Sequence, residues 1–184
     1  MQALAGLNAL MALVDRLSGL LARFAMGLVV VLVGAMLYEV VSRRIFNSPT
    51  IWAFDFSYMV NGTIFLGAAG YALLQNEHIR IDFFSARLSL RTQHAVNAIF
   101  YVFLFLPTMF LICQSAFGDA YEALVTGQVE RVSPWAPLVW PYYTAVCVGL
   151  CGLFAQSVVQ TIRHLIGIAH PTTLALVAMD QGGE

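Results

Sequence analysis

The chain reads as an all-α membrane protein of four transmembrane helices, and three observations carry that reading. Hydrophobic residues make up 60% of its 184 positions against 10% charged, with a mean hydropathy of +0.78. A soluble domain of this size must present a mostly polar surface and cannot hide so much apolar side chain. Four stretches are long enough to cross a bilayer, which takes roughly 20 apolar residues at about 1.5 Å of rise each. All nine basic residues are arginine, and they fall at the edges of these stretches. A charge at the centre of a span would cost about 2.5 to 3.5 kcal/mol on insertion.

The first span is expected from about Phe24 to Val41 and the second from Ile51 to Leu74. The third runs from Ala95 to Phe117 and the fourth from Leu138 to Ile162. Together they make one membrane domain over residues 1–170, followed by a flexible tail over 171–184, where Pro171, Gly182 and Gly183 oppose helix. Before the first span, Leu7, Leu10, Met11, Val14 and Leu17 recur at helical spacing, the pattern of an amphipathic segment along the membrane face. These first residues have no basic n-region and no A-x-A site, so a cleaved signal peptide is not expected.

Between the second and third spans, Arg80, Arg87 and Arg91 share a helical face beside an apolar stripe of Ile79, Phe83, Ala86 and Leu90. That argues for an interfacial cytoplasmic helix with its arginines among lipid phosphates. Arg16, Arg23, Arg80, Arg87, Arg91 and Arg163 flank the spans on the N-terminal side, whereas Arg43, Arg44 and Arg131 lie on the other. The excess places both termini in the cytoplasm.

Within the spans the polar residues are few. Glu39 can meet Arg43 one turn on, and Asp55 sits in the first turn of the second span, where the positive helix end favours an anion. Asn61, Thr63, Asn97, Gln114 and Gln156 can bond between helices or with a partner. Gly27 and Gly34 on one face of the first span, and Gly67 to Gly70 in the second, mark places for close helix approach. Pro107 removes a backbone hydrogen bond from the third span and should kink it. Cys113, Cys147 and Cys151 read as packing residues, and His78, His94, His164 and His170 flank the spans instead of facing one another within the bundle. No catalytic, cofactor-binding or metal-ligating set is expected.

The connections hold the more distinctive text. The first combines Arg44, a turn at Asn47 and Pro49, then Trp52 at headgroup level and Asp55. The second contains His78, Arg80 and Asp82, and the third is a rigid turn from Glu130 to Pro137. At these residues the chain resembles the small membrane subunit, of the DctQ type, of tripartite ATP-independent periplasmic (TRAP) transporters. The family pattern of Arg, aromatic-Asn-x-Pro, Trp and acid reads here as Arg44, Phe46, Asn47, Pro49, Trp52 and Asp55. A small-residue patch follows at Gly67 and Ala68, then His-hydrophobic-x-hydrophobic-Asp at His78, Ile79, Ile81 and Asp82. The chain departs from the pattern at Asp55-Phe56, where relatives often have paired glutamates, and at Asn76-Glu77, where they have a glycine close before the His.

The resemblance implies a subunit in the cytoplasmic (inner) membrane of a bacterium or archaeon. Its partners would be a large membrane subunit that contains the transport pathway, a periplasmic substrate-binding protein that docks transiently, and membrane lipids. No nucleic acid is expected as a partner. Uptake of organic acids would be driven by sodium. Neither an internal repeat nor an intramembrane charge pair marks a transport site of its own, which suits a bracing role and not an enzyme. Two alternatives belong to other classes: a small homo-oligomeric proton-coupled exporter using Glu39, and a membrane-anchor or redox subunit.

Overall fold

The computed structural model describes residues 2–75 and 90–169. Among these the chain is helical, with one isolated antiparallel bridge between Val129 and Leu138 and no β-strand. Helix α1 is Gln2–Arg44, α2 is Ala53–Leu74, and α3 is Leu90–Phe100. A π-helical turn, Tyr101–Phe105, joins α3 to α4, Leu106–Thr126, and α5 is Trp140–Ala169.

Three helical stretches are long and apolar enough to cross a membrane: Gly6–Arg44, Arg91–Thr126 and Trp140–Ile168. Helix α2 is long enough at 22 residues but is not among them. The amphipathic stretch at Leu7 to Leu17 is not a separate element, because α1 continues unbroken from it to Arg44. At about 1.5 Å per residue this helix measures roughly 64 Å, twice the hydrocarbon thickness. The interfacial helix expected around Arg80 and the tail at 171–184 lie outside the described residues.

The inward face of α1 is a stripe spaced alternately by three and four residues: Met11, Val14, Ser18, Leu21, Ala25, Leu28, Leu32, Ala35 and Glu39 are its buried or half-buried positions. That is the pattern of near-parallel helix packing, and α1 meets both α2 and α5. Helix α5 touches every other helix and is the centre of the fold. Of its most apolar window 44% is buried, against 11% for α1 and 6% for the α3–α4 arm. Glycines allow the close contacts. A Cβ on Gly149 would lie 2.8–3.0 Å from the Cβ, C and O atoms of Leu66, and one on Gly70 would meet Ser18 of α1 and Gly152 of α5. Gly67 faces Ala25, whereas Gly27 and Gly34 have nothing within 4 Å. The small patch of α2 therefore packs inside the chain, and the two glycines of α1 point away from it.

The arm from α3 to α4 packs chiefly on α5, where Ala116 and Ala120 enclose Cys147 with Tyr143 and Leu150 alongside. Pro107 cannot donate to the carbonyl four residues back, and the backbone responds just before it. Leu106 N–H bonds to Tyr101 O, the five-residue step of a π turn. The kink expected at Pro107 is untested, and what the backbone shows is a π-helical turn just before it.

The Leu66–Gly149 contact leaves no room for a methyl group beside a main chain. Gly149→Ala should lower the thermal midpoint of the detergent-solubilised protein by several degrees, with Gly149→Leu worse, while Gly27→Ala and Gly34→Ala leave it unchanged.

Candidate functional site

The polar side chains that the apolar helices carry inward gather in two layers, one at each end of the bundle. At the end with loops 45–52 and 127–139, Glu39 is buried and holds three groups. The Arg43 guanidinium donates to its Oε1 at 2.5 and 2.9 Å. Thr50 donates its backbone N–H to Oε2 at 3.0 Å and its hydroxyl to the same oxygen. One carboxylate thereby ties the end of α1 to the segment leading into α2. Asn47 supplies the turn between them with φ 49°, a left-handed conformation that Asn tolerates better than most residues. Ser42 and Ser48 close it, with Ser48 N–H donating to Ser42 O at 3.0 Å and Ser42 Oγ to Ser48 O at 2.5 Å.

Trp52 stacks on Tyr38 at 6.0 Å between ring centroids and takes the edge of Phe56 at 5.8 Å. Three residues on, Asp55 is buried in the first turn of α2 and accepts a hydrogen bond from the Ser133 hydroxyl. Ser133 Oγ in turn accepts the Trp135 N–H at 3.1 Å, and the hairpin it belongs to is closed by Glu130 N–H to Pro137 O at 2.9 Å and Val139 N–H to Gln128 O at 3.1 Å. Arg44 is exposed and makes no ion pair among the described residues. The acid of the first loop therefore clasps the last loop, 78 residues away.

At the opposite end, Gln156 of α5 is fully buried. Its Oε1 accepts from Ser18 Oγ at 2.9 Å, and its Nε2 donates to Asp15 at 2.9 Å. The other Asp15 oxygen takes Arg163 at 2.5 Å, in an ion pair about one-fifth exposed on each side. Gln160 Nε2 caps the end of α2 by donating to Leu73 O at 3.2 Å. One turn further along α5, His94 and His164 approach with 3.1 Å between their Nδ1 atoms, Tyr101 stacks on His164, and Arg91 donates to Ile168 O. The two histidines do face each other, contrary to the sequence expectation, because α3 runs back along α5 at this level. No group of three or more His, Cys, Asp or Glu placed to hold a metal ion occurs among the described residues.

Of the residues singled out in the sequence, Trp52 and Asp55 enter the loop-end layer, while Arg44, Asn47 and Pro49 remain exposed on its rim. His78, Arg80 and Asp82 lie outside the described residues. Sequence reasoning did not find Asp15, Ser18, Thr50, Ser133, Gln160 or Arg163. The three-four stripe of α1 passes through Ser18 and could have flagged it; the others need the fold.

A charge-assisted hydrogen bond contributes about 1.5–3 kcal/mol. Asp55→Ala and Ser133→Ala should each cost on that order in chemical unfolding in detergent, with the double variant costing less than the sum. Arg44→Ala should cost almost nothing by the same measurement.

None of the curated proteins matches the chain. The family described as Tripartite ATP-independent periplasmic transporters, DctQ component, matches residues 32–167, about three-quarters of the length, taking in the first loop with Glu39, Trp52 and Asp55 and all of α2 to α4. On that match the chain belongs to the DctQ family, the small membrane subunits of tripartite transporters.

Proposed function

We propose that this chain braces the large membrane subunit of a TRAP secondary transporter, crossing the cytoplasmic membrane four times with both termini in the cytoplasm. The observation that supports it most is the spacing of the two polar layers. Ser18 and Glu39 are 21 residues apart on α1, roughly 32 Å along a helix, and Asp55 and Leu73 are roughly 27 Å apart on α2. Trp140 and Gln160 on α5 give roughly 30 Å, the thickness of the hydrocarbon core. The contacts that tie α1, α2 and α5 together at their two ends thus recur about one hydrocarbon thickness apart, which supports the reading. Helix α2 fits the slab by length, and its sides are sheltered by α1 and α5. In this reading residues 1–170 form one membrane domain with 171–184 as a tail.

A bracing role also follows from what the polar groups do. Asp15, Ser18, Glu39, Asp55, Gln156, Gln160 and Arg163 are all hydrogen-bonded within the chain. A proton-coupled exporter needs a carboxylate that is free to load and release its cargo. Glu39 is held by Arg43 and Thr50 at a helix end instead. Substrate recognition then resides in the partners, which in a sodium-driven organic-acid system are the large subunit and a periplasmic binding protein. The loop end, where Ile45, Phe46 and Val132 are exposed, is the surface that a binding protein would reach. Arg44, Asn47 and Pro49 shape that surface, and His78, Arg80 and Asp82 belong to the cytoplasmic connection.

Co-expressed with its large TRAP membrane subunit, the chain should co-purify as a stable complex, and in liposomes by itself it should pass no organic acid. Trp52→Ala and Asp55→Ala should lower the yield of complex severalfold while transport per complex and the binding protein's affinity for substrate stay constant. Flux through the purified chain alone would overturn the reading, as would normal yield with collapsed transport per complex.

A further inference from the structure

Near the start of α3, that helix and α5 meet ring against ring. His164 is buried on α5, and its Nδ1 lies 3.1 Å from the Nδ1 of His94 on α3. Each ring is also seated by a second contact. A Cβ built on Gly167 would lie 3.0 Å from three atoms of the His94 ring, so that ring rests against the backbone of α5 where a glycine leaves it room. Tyr101 stacks on His164 with 5.7 Å between ring centroids. Arg91, one turn before His94, donates to Ile168 O at 3.0 Å.

A contact between two Nδ1 atoms at this distance is a hydrogen bond only when one nitrogen carries a proton and the other offers its lone pair. A neutral imidazole has a single N–H, on either nitrogen, whereas an imidazolium has both. Two neutral rings satisfy the contact, and so do one neutral and one charged. Two charged rings do not, because each would aim an N–H at the other and two positive rings would touch. The surroundings add to that repulsion. Among the described residues, the charged or titratable groups bordering the pair are Arg91 on α3, Tyr101 at the π turn, and Arg163 on α5 with its partner Asp15 on α1. Arg91 is a further cation, and Asp15 already holds Arg163 and Gln156. Helix α2 reaches this end of α5 through Leu73 O, an uncharged acceptor.

We propose that His94 and His164 form a pH-sensitive latch that clamps the start of α3 to α5 at neutral pH and releases it when both rings take up a proton. The contact is present while at least one ring is neutral. It is lost as pH falls through the range in which histidine ordinarily charges, about 6.5 and below. Beyond the π turn the arm is held separately, by the packing of Ala116 and Ala120 with Cys147, so release is confined to the His94 end and α3 swings at Tyr101–Phe105. In the orientation proposed above, that end faces the cytoplasm and the latch responds to cytoplasmic acid. The latch itself does not depend on the bracing role.

Pulsed electron paramagnetic resonance on the full chain in nanodiscs tests the proposal, with nitroxides on cysteines introduced at the exposed positions Val96 and Leu165 and the three native cysteines replaced. The 96–165 distance should be narrowly distributed at about pH 7.5 and become longer and broader at about pH 5, reversibly. A control pair at Val29 and Phe65, across α1 and α2, should keep its distance at both. His94→Gln and His164→Gln retain an amide that can hydrogen-bond but does not titrate, and each should abolish the pH response. Nitrogen-15 spectra of the histidine rings give a reading without substitution: both rings should become doubly protonated over the pH range in which the distance grows. A 96–165 distance that is the same at both pH values would overturn the proposal. So would a response that survives in both glutamine variants, one shared by the control pair, or one that occurs while either ring is still neutral.

Discussion

Lipid tails neither donate nor accept hydrogen bonds, so each polar side chain on a membrane helix must find a partner within protein or sit where water and headgroups reach it. That constraint explains why most inward polar residues collect at two depths, and why small residues such as Ala25, Ala116, Cys147 and Gly149 fill the space between. Glu39 with Thr50 and Asp55 with Ser133 form one layer, and Asp15, Ser18, Gln156 and Arg163 form the other. Between them, α2 and α5 meet through the Tyr58–Tyr142 ring contact and a main-chain approach that only a glycine at position 149 permits.

The layers also divide the labour among the helices. Helix α5 contributes side chains or contacts at both ends and lies against all the other helices, so it is the element whose displacement would disturb every contact. The α3–α4 arm leans chiefly on α5 and leaves most of its surface bare, and α1 shows a bare face at Gly27 and Gly34. A small chain with so much uncovered apolar surface suits a subunit surrounded by lipid and by a larger partner, as membership of a tripartite transporter family implies.

Much of this was legible in the sequence and some was not, for definite reasons. Apolar runs reveal the helices because hydrocarbon thickness sets their length, and the Asn47 turn with Trp52 and Asp55 was visible because turn and interface residues act locally. The partner of Asp55 was not, since Ser133 is brought to it only by the return of α5. The same holds for Asp15 with Arg163, 148 residues apart, and for the meeting of His94 with His164. The helices continue beyond the apolar runs where good helix formers follow, as before Phe24 and after Phe117. The direction of the glycines could not be read from spacing, because Gly27 with Gly34 and Gly67 with Gly70 look alike until the neighbours of α1 and α2 are known.

The central claim is that the two polar layers mark the two surfaces of one bilayer, and α2 is the helix on which that claim is least secured by hydropathy. Single cysteines at positions 52, 61 and 75, in a chain whose three native cysteines are replaced, can be challenged in sealed right-side-out and inverted vesicles with a membrane-impermeant maleimide. The account predicts labelling of position 52 only from outside, of position 75 only from the cytoplasmic side, and of position 61 from neither. Labelling of positions 52 and 75 from the same side would show that α2 does not cross, and the two layers would then not be the two faces of the membrane.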